Sequence, residues 1–448
     1  MTQLSKSFEN SWRRALLGAA TLWILAACSN AGPPRADSFG PHPRLPAADL
    51  EVLPTVNVAK AKAWASGSTP LAAPGLTVHA YAEALDHPRW LYVLPNGDVL
   101  VAETSAPTRP QDAKGIRAWI MGLFMKKAGA AVPSADRISL LRDSDGDGRA
   151  DLRTVFLKNL HSPFGMALVG SEFYVANTDA VLKFAYSDGQ TTISTAGSKL
   201  LDLPAGARNH HWTKNLIASA DGSTLYVSVG SNSNIAEYGM AEEQGRAAIW
   251  AIDRVSGKHR IFASGLRNAN GMAFEPSSGA LWTAVNERDL LGPDLVPDYM
   301  TAVRDGGFYG WPYSYFGQHV DDRPQPPRPD LVASAIAPDY ALGAHTASLG
   351  LAYSDGNALA QPFRNGMFIG QHGSWNRRPR SGYKVIFVAF ADGQPVGLPI
   401  DVLSGFISAK DEANGRPVGV AFDRSGALLV ADDVGNVVWR VAAAQQAD

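Results

Sequence analysis

Along most of this chain a few apolar residues lead through a turn carrying Gly, Asn or Asp into a second, β-rich apolar run. The first case is Leu91-Tyr92-Val93-Leu94, which passes through Pro95-Asn96-Gly97-Asp98 into Val99-Leu100-Val101-Ala102. Gly165-Met166-Ala167-Leu168 leads likewise into Phe173-Tyr174-Val175-Ala176, and Leu216-Ile217-Ala218 through Asp221-Gly222 into Leu225-Tyr226-Val227. The fourth case is Gly271-Met272-Ala273-Phe274 with Leu281-Trp282-Thr283-Ala284, and the fifth is Gly350-Leu351-Ala352-Tyr353 with Gly366-Met367-Phe368-Ile369-Gly370. Gly419-Val420-Ala421-Phe422 with Leu428-Leu429-Val430-Ala431 completes a set of six. Repeats of roughly 50 to 80 residues, each with a two-strand signature and weaker strand signals, fit propeller blades better than a solenoid of short units. The expected fold is all-β, a six-bladed β-propeller over residues 76–448. Loops at one end of its inner strands then surround a funnel, where function is expected.

Two segments break the pattern. Gly115 to Lys127 is an apolar stretch of helical length with cationic ends. It predicts a helical insert over 105–135 packed on the propeller, with membrane or partner contact as the alternative. Downstream, Asp143, Asp145, Asp147 and Asp151 alternate as oxygen ligands for a hard cation do, with Gly148 placed for a sharp turn. Thr154 stands where a bidentate Glu would close the shell, so a structural Ca²⁺ and an Asx-rich hairpin turn both stay open.

Composition adds limits. The chain is 46% hydrophobic and carries a formal net charge of −2, so no basic surface exists to neutralise phosphates and nucleic acid is excluded as a partner. Its single cysteine, Cys28, follows a positive start with Lys6, Arg13 and Arg14 and an apolar run from Ala15 to Ala27. That run is too short to span a membrane comfortably, and Leu25-Ala26-Ala27-Cys28 resembles a bacterial lipoprotein signal. Residues 1–28 are thus expected to direct export and Cys28 to be lipidated, which makes the protein periplasmic and membrane-bound through an N-terminal lipid only; the alternative is an ordinary signal cut nearby with Cys28 discarded. Residues 29–75, rich in Pro and Ala, are expected to form a tether pressed onto the body near its end.

The usual motifs of nicotinamide, nucleotide, serine-hydrolase and zinc chemistry are missing. What remains is polar residues flanking the repeated strands: His210 and His211 before the third, Arg267 and Asn268 before the fourth, and Asn286-Glu287-Arg288-Asp289 after it. The fifth unit carries Gln371-His372-Gly373-Ser374-Trp375-Asn376-Arg377, and Arg416 precedes the sixth. Equivalent loops of a propeller converge, so His211, Arg267 and Arg416 are expected to be neighbours.

Arg267-Asn268-x-x-Gly271-x-Ala273-Phe274, the later Gly306-Gly307-Phe308-Tyr309-Gly310-Trp311-Pro312, and a histidine five residues before Leu216 resemble the soluble quinoprotein sugar dehydrogenases. Those enzymes use pyrroloquinoline quinone (PQQ). Asn209-His210-His211, Val285-Asn286-Glu287-Arg288-Asp289 and Gln371-His372-Gly373-Ser374-Trp375 are similar to the sorbosone dehydrogenase branch. The resemblance, spanning about residues 76 to 442, implies oxidation of an aldose or sugar aldehyde to the acid or lactone, with PQQ, Ca²⁺ and an external electron acceptor. It implies His211 as general base, Arg267 and Asn268 against the quinone oxygens, and Arg416 on a PQQ carboxylate. Backbone carbonyls of Glu287 and Arg288 would hold the Ca²⁺, His210 and His161 would lie near the sugar, and His372, Trp375 or Arg377 would replace the cofactor-gripping lysine of those relatives. Two alternatives are a non-catalytic binding propeller and a Ca²⁺-dependent lactonase.

Overall fold

The computed structural model describes residues 35–49, 55–108, 122–354 and 359–444. Six sheets of antiparallel strands follow one another along the chain, one for each apolar repeat. Blade 1 consists of Pro88–Val93, Val99–Glu103, Arg137–Arg142 and Leu152–Leu157. Blades 2 and 3 run in the same sequential order from Met166–Val169 to Ser198–Asp202 and from Leu216–Ala218 to His259–Ser264. Blade 4 begins with Ala269–Phe274 and ends with Tyr340–Ala344, and blade 5 extends from Ser348–Ser354 to Gln394–Ser404. In blade 6, Pro417–Phe422, Leu428–Asp432 and Val437–Ala443 are joined by Leu76–Ala82, which pairs antiparallel with Val437–Ala443 as the outermost strand. The start and end of the propeller are thereby hydrogen-bonded together, which leaves no open seam in the ring.

The second strand of each blade is apolar on both faces because each blade lies between two others. Val99 and Val101 face blade 6 beside Leu429 and Val438, whereas Leu100 and Ala102 face blade 2 beside Phe164 and Phe173. This is the period-2 alternation of a strand with neither face in water. Among the described residues there are six such apolar clusters, one in each gap between blades.

The first strand of each blade is innermost, and these strands touch in a closed cycle. Close contact explains the glycine that opens four of the repeats. A Cβ on Gly165 would lie 2.2 Å from the Leu216 nitrogen, one on Gly271 2.5 Å from the Leu351 nitrogen, and one on Gly350 2.2 Å from the Val418 oxygen. On Gly419 it would lie 2.7 Å from the Arg89 oxygen, which joins blade 6 to blade 1. In every case the obstacle is backbone of the next blade, which no rotamer change relieves.

The segment expected as a tether is docked wherever it is described. Gly40 bridges to Ala341, Lys60–Ala61 pairs in parallel with Glu412–Ala413, and Leu71–Ala72 adds a fifth strand to blade 5. Its Pro-rich composition gives extended backbone, which suits a strap as well as a tether. The insert leaves blade 1 between its second and third strands; residues 122–127 are helical, while 109–121 and Cys28 lie outside the described residues. Among the described residues no helix is long and apolar enough to cross a membrane. Gly350→Ala is expected to destabilise the protein by about 1–3 kcal/mol in a denaturant unfolding curve through overpacking; wild-type stability would contradict the backbone-contact account.

Candidate active site

The loops at one end of the inner strands surround a cavity of about 250 Å³, lined by His87, Arg89, Trp212, His372, Trp375 and Arg416 together with Val58 of the strap and Phe124 and Met125 of the insert. Its walls are largely apolar and its charge is concentrated at one place. The Asp433 carboxylate accepts from Arg89 Nη1 at 2.5 Å and from His372 Nε2 at 2.9 Å, with His87 Nε2 at 3.6 Å. Burial opposes its ionisation, but the positive groups around it hold Asp433 well below the usual carboxylate range. Burial lowers His372 to about 4 although Asp433 draws the other way. A neutral His372 suits both neighbours: Nε2–H donates to Asp433, and the Nδ1 lone pair faces Arg416 Nη1 at 3.5 Å.

With His87 also held neutral by burial, Arg89 pairs with Asp433, while the Arg416 guanidinium, beside Tyr383 Oη and His372 Nδ1, has no carboxylate partner among the described residues. Arg89 and Arg416 repel each other, and the Nε of each is buried without a hydrogen-bond partner. A buried donor left unpaired is costly, and a carboxylate supplies the geometry a guanidinium fits best. The cavity, with excess positive charge and the rings of Trp212 and Trp375 in its wall, fits a flat polyanionic ligand such as PQQ.

His211 lies beside this cavity, next in sequence to Trp212. Its Nδ1 is 2.8 Å from the Ser231 carbonyl oxygen, which can only accept, so Nδ1 carries the hydrogen and Nε2 keeps a free lone pair. Burial and then the positive charge of Arg267 push the His211 pKa well below its ordinary value. The loop that presents it is fixed from beneath. Lys214, fully buried, donates to the carbonyls of His211 and Trp212 at 3.2 and 3.4 Å, and burial drives its own pKa well down. Thr178 Oγ1 donates to Trp212 O at 2.9 Å, and Asn209 ties Thr178 to Arg246. Asn268 comes up against His211 at Gly230, where a Cβ would lie 2.5 Å from both Asn268 Oδ1 and His211 Cβ. Asn268 Oδ1 is buried with no hydrogen-bond partner, a second open position for a ligand.

Arg267 is near His211 and spends most of its donors on neighbouring loops. It donates to Asn234 Oδ1 at 2.9 Å, to Asn286 O at 3.2 Å and to Glu287 O at 2.7 Å. Trp311 of the Gly-Gly-Phe-Tyr-Gly-Trp-Pro run holds Asn234 from the other side, Nε1 to the carbonyl at 2.9 Å. In this arrangement Arg267 ties three loops together and keeps His211 neutral. The Glu287 carbonyl, expected on the Ca²⁺ together with that of Arg288, accepts Arg267 Nη1 with one lone pair and keeps a second for a cation. Arg288 is fully buried and ion-paired with Asp321, with burial lowering its pKa to about 9.

Three further residues expected at the site, Arg377, His161 and His210, do not line this cavity. Arg377 points away from the cavity, bonding Pro293 O, Pro379 O and Asp294. His161 forms an exposed pair with Asp179 at 2.8 Å, outside the cavity lining, while His210 is half-buried and adds positive charge against protonation of His211. Asp143, Asp145 and Asp151 converge in the exposed outer hairpin of blade 1, and Asp147 does not join them. Asp143 there accepts the backbone N–H of Gly146 and Gly148 and Asp151 that of Ser144, the bonds of an Asx-type turn. The sequence pattern missed Arg89, Asp433 and Lys214. Arg89 was within reach of it, because it stands at the start of blade 1 as Arg416 does at blade 6.

The sequence profile of the TrAA12-like family matches residues 137–296 and 330–444. A PQQ-dependent pyranose dehydrogenase of Coprinopsis cinerea is 27% identical over 230 residues, 42% of this chain and 31% of that enzyme, so the match spans about a third of its length. The holo PQQ domain of pyranose dehydrogenase from Coprinopsis cinerea superposes with a TM-score of 0.66 at 20% identity, over 86% of this chain and all of the domain. A calcium structure of the Trichoderma reesei carbohydrate-active family AA12 protein gives 0.67 at 19% identity, over 84% of this chain and 97% of that one. These likenesses establish the propeller fold of a PQQ-domain sugar dehydrogenase.

Nitrogen-15 NMR of the histidine rings is expected to show His211 protonated on Nδ1 alone at pH 7 and still neutral well below pH 6.5. In the unfolded chain a histidine titrates near about 6.5, so below that pH the unfolded state takes up a proton the folded state refuses. His211 thus costs stability as pH falls below about 6.5 and adds no pH dependence above it. An imidazolium signal from folded protein at pH 6.5 would contradict this.

Proposed function

This chain belongs to the TrAA12-like family, and on that footing we propose that it is a PQQ-dependent dehydrogenase oxidising an aldose or sugar aldehyde, sorbosone-like, to the acid or lactone. The observation that carries the proposal is the pair of buried guanidinium groups, Arg89 and Arg416, each with Nε unpartnered in an indole-walled cavity. Arg89 and Arg416 would hold the carboxylates of PQQ, with Arg89 in the part a lysine plays in the resembled enzymes, and Trp212 and Trp375 would flank its rings. When bound, PQQ supplies a two-electron acceptor, returned to its oxidised form by an external acceptor.

The proton falls to His211. Its Nε2 lone pair is available at neutral pH, and Ser231 fixes the ring so that the lone pair faces away from the backbone. Nε2 takes the proton of the anomeric or hydrate hydroxyl as the C–H bond of that carbon breaks, and Nδ1–H stays on Ser231 throughout. Asn268, with its amide oxygen unpaired, is placed to orient the substrate or cofactor beside the base. The fixed positive charge of Arg267 keeps water protons from occupying Nε2 and so keeps the base free. The substrate aldehyde and the acceptor are bound outside the cytoplasm, on the proposal that residues 1–28 direct export and Cys28 carries a lipid.

Purified protein supplied with PQQ is expected to couple a redox dye to oxidation of an aldose or sorbosone. His211→Ala should lower kcat by about 10²- to 10⁴-fold, the usual worth of a general base, with PQQ retained. A bound quinone that no sugar reduces would favour the non-catalytic propeller, and absence of both binding and turnover across a sugar panel would refute the enzyme assignment.

A further inference from the structure

The strap that precedes the propeller reaches the cavity, or the residues that carry its wall, at three points. Val58, buried, lines it directly. Asn57, also buried, donates its backbone N–H to the Trp375 carbonyl at 2.7 Å and its side-chain amide to the Arg377 carbonyl at 2.8 Å, and Arg380 clamps Asn57 in return. Trp64 donates Nε1 to Asp432 Oδ2 at 2.7 Å, and the other oxygen of Asp432 accepts the backbone N–H of Arg416 at 2.7 Å. Trp64 is itself seated edge-on against Phe406 and Trp439, with ring centroids 5.4 Å away in both cases. The insert rests on the same strap: a Cβ on Gly129 would come within 2.8 Å of Ala61 Cβ, and Phe124 and Met125 continue the wall that Val58 begins.

We propose that the strap over residues 55–66 is a working part of the ligand site, with Asn57 and Trp64 as positioning residues for Trp375 and Arg416. The proposal rests on the PQQ reading of the cavity. A propeller needs no such strap to close, because Leu76–Ala82 already completes blade 6. The strap makes its buried hydrogen bonds instead to the loops that carry the indole and the guanidinium. Docking of the strap and occupation of the cavity are therefore coupled: each holds the other's residues in place. It also follows that the chain between the N-terminus and the propeller cannot be treated as inert spacer, since pulling on it draws on the wall of the cavity.

Two measurements on the full chain test this. Hydrogen exchange of residues 55–66, followed by mass spectrometry with and without saturating PQQ, is expected to slow by about tenfold or more on binding, because a ligand that favours the docked state stabilises it by mass action. Trp64→Phe keeps an aromatic ring against Phe406 and Trp439 and removes the donor to Asp432 along with the pyrrole half of the indole. It is expected to raise the PQQ Kd by about tenfold, as the loss of a hydrogen bond to a buried carboxylate implies, while kcat at saturating PQQ stays near the wild-type value. Exchange in the strap indifferent to PQQ, or a wild-type Kd in Trp64→Phe, would overturn the proposal. Wild-type protein that binds no PQQ at all would fail at the earlier step, and this inference would fall with the functional assignment.

Discussion

Two adjacent carboxylates at the end of the second strand of blade 6 hold the functional end of this molecule together. Asp433 reaches outward from its blade to Arg89 of blade 1 and His372 of blade 5. Asp432 turns the other way and accepts from Arg416 N, Gly435 N, Trp439 Nε1 and Trp64 Nε1. Burying either charge without these donors would be strongly unfavourable. With them, one short turn fixes the relative positions of three blades and the strap. Asp433 pairs with Arg89, whereas the Arg416 guanidinium donates to Tyr383 and has no carboxylate partner among the described residues, and that unpaired charge is the basis of the cavity's ligand chemistry.

The propeller itself was legible because its constraints repeat. Four inner strands press on the backbone of the next blade, which forces glycine at Gly165, Gly271, Gly350 and Gly419, and the second strand of every blade is buried on both faces, which gives the continuous apolar runs. A requirement imposed six times leaves a periodic trace in sequence. The velcro strand Leu76–Ala82 and the strap leave none, because each occurs once and its partners lie hundreds of residues away.

Only part of the site could be read in the same way. Polar residues at blade mouths do converge: His372, Trp375 and Arg416 line one cavity with Trp212, and His211, next to Trp212 in the chain, has Asn268 close against it. Position at a mouth does not say which way a long side chain turns. Arg377 follows Trp375 by two residues yet folds back on Pro293 and Asp294, and Arg267 spends its donors on neighbouring loops. His161 sits at a mouth too, but Asp179 draws it to the surface. These outcomes are decided by partners distant in sequence, as is the burial of Lys214 beneath the base.

The account depends most on the claim that Arg89 and Arg416 form a buried site for a polyanionic cofactor. Calorimetric titration of PQQ into the wild-type protein and the Arg89→Gln variant tests it directly. One PQQ should bind per chain, and the variant should bind it more weakly by on the order of a hundredfold, the scale of a lost charge-assisted contact in a buried pair. Equal affinities in the two proteins, or no binding to the wild type, would contradict it.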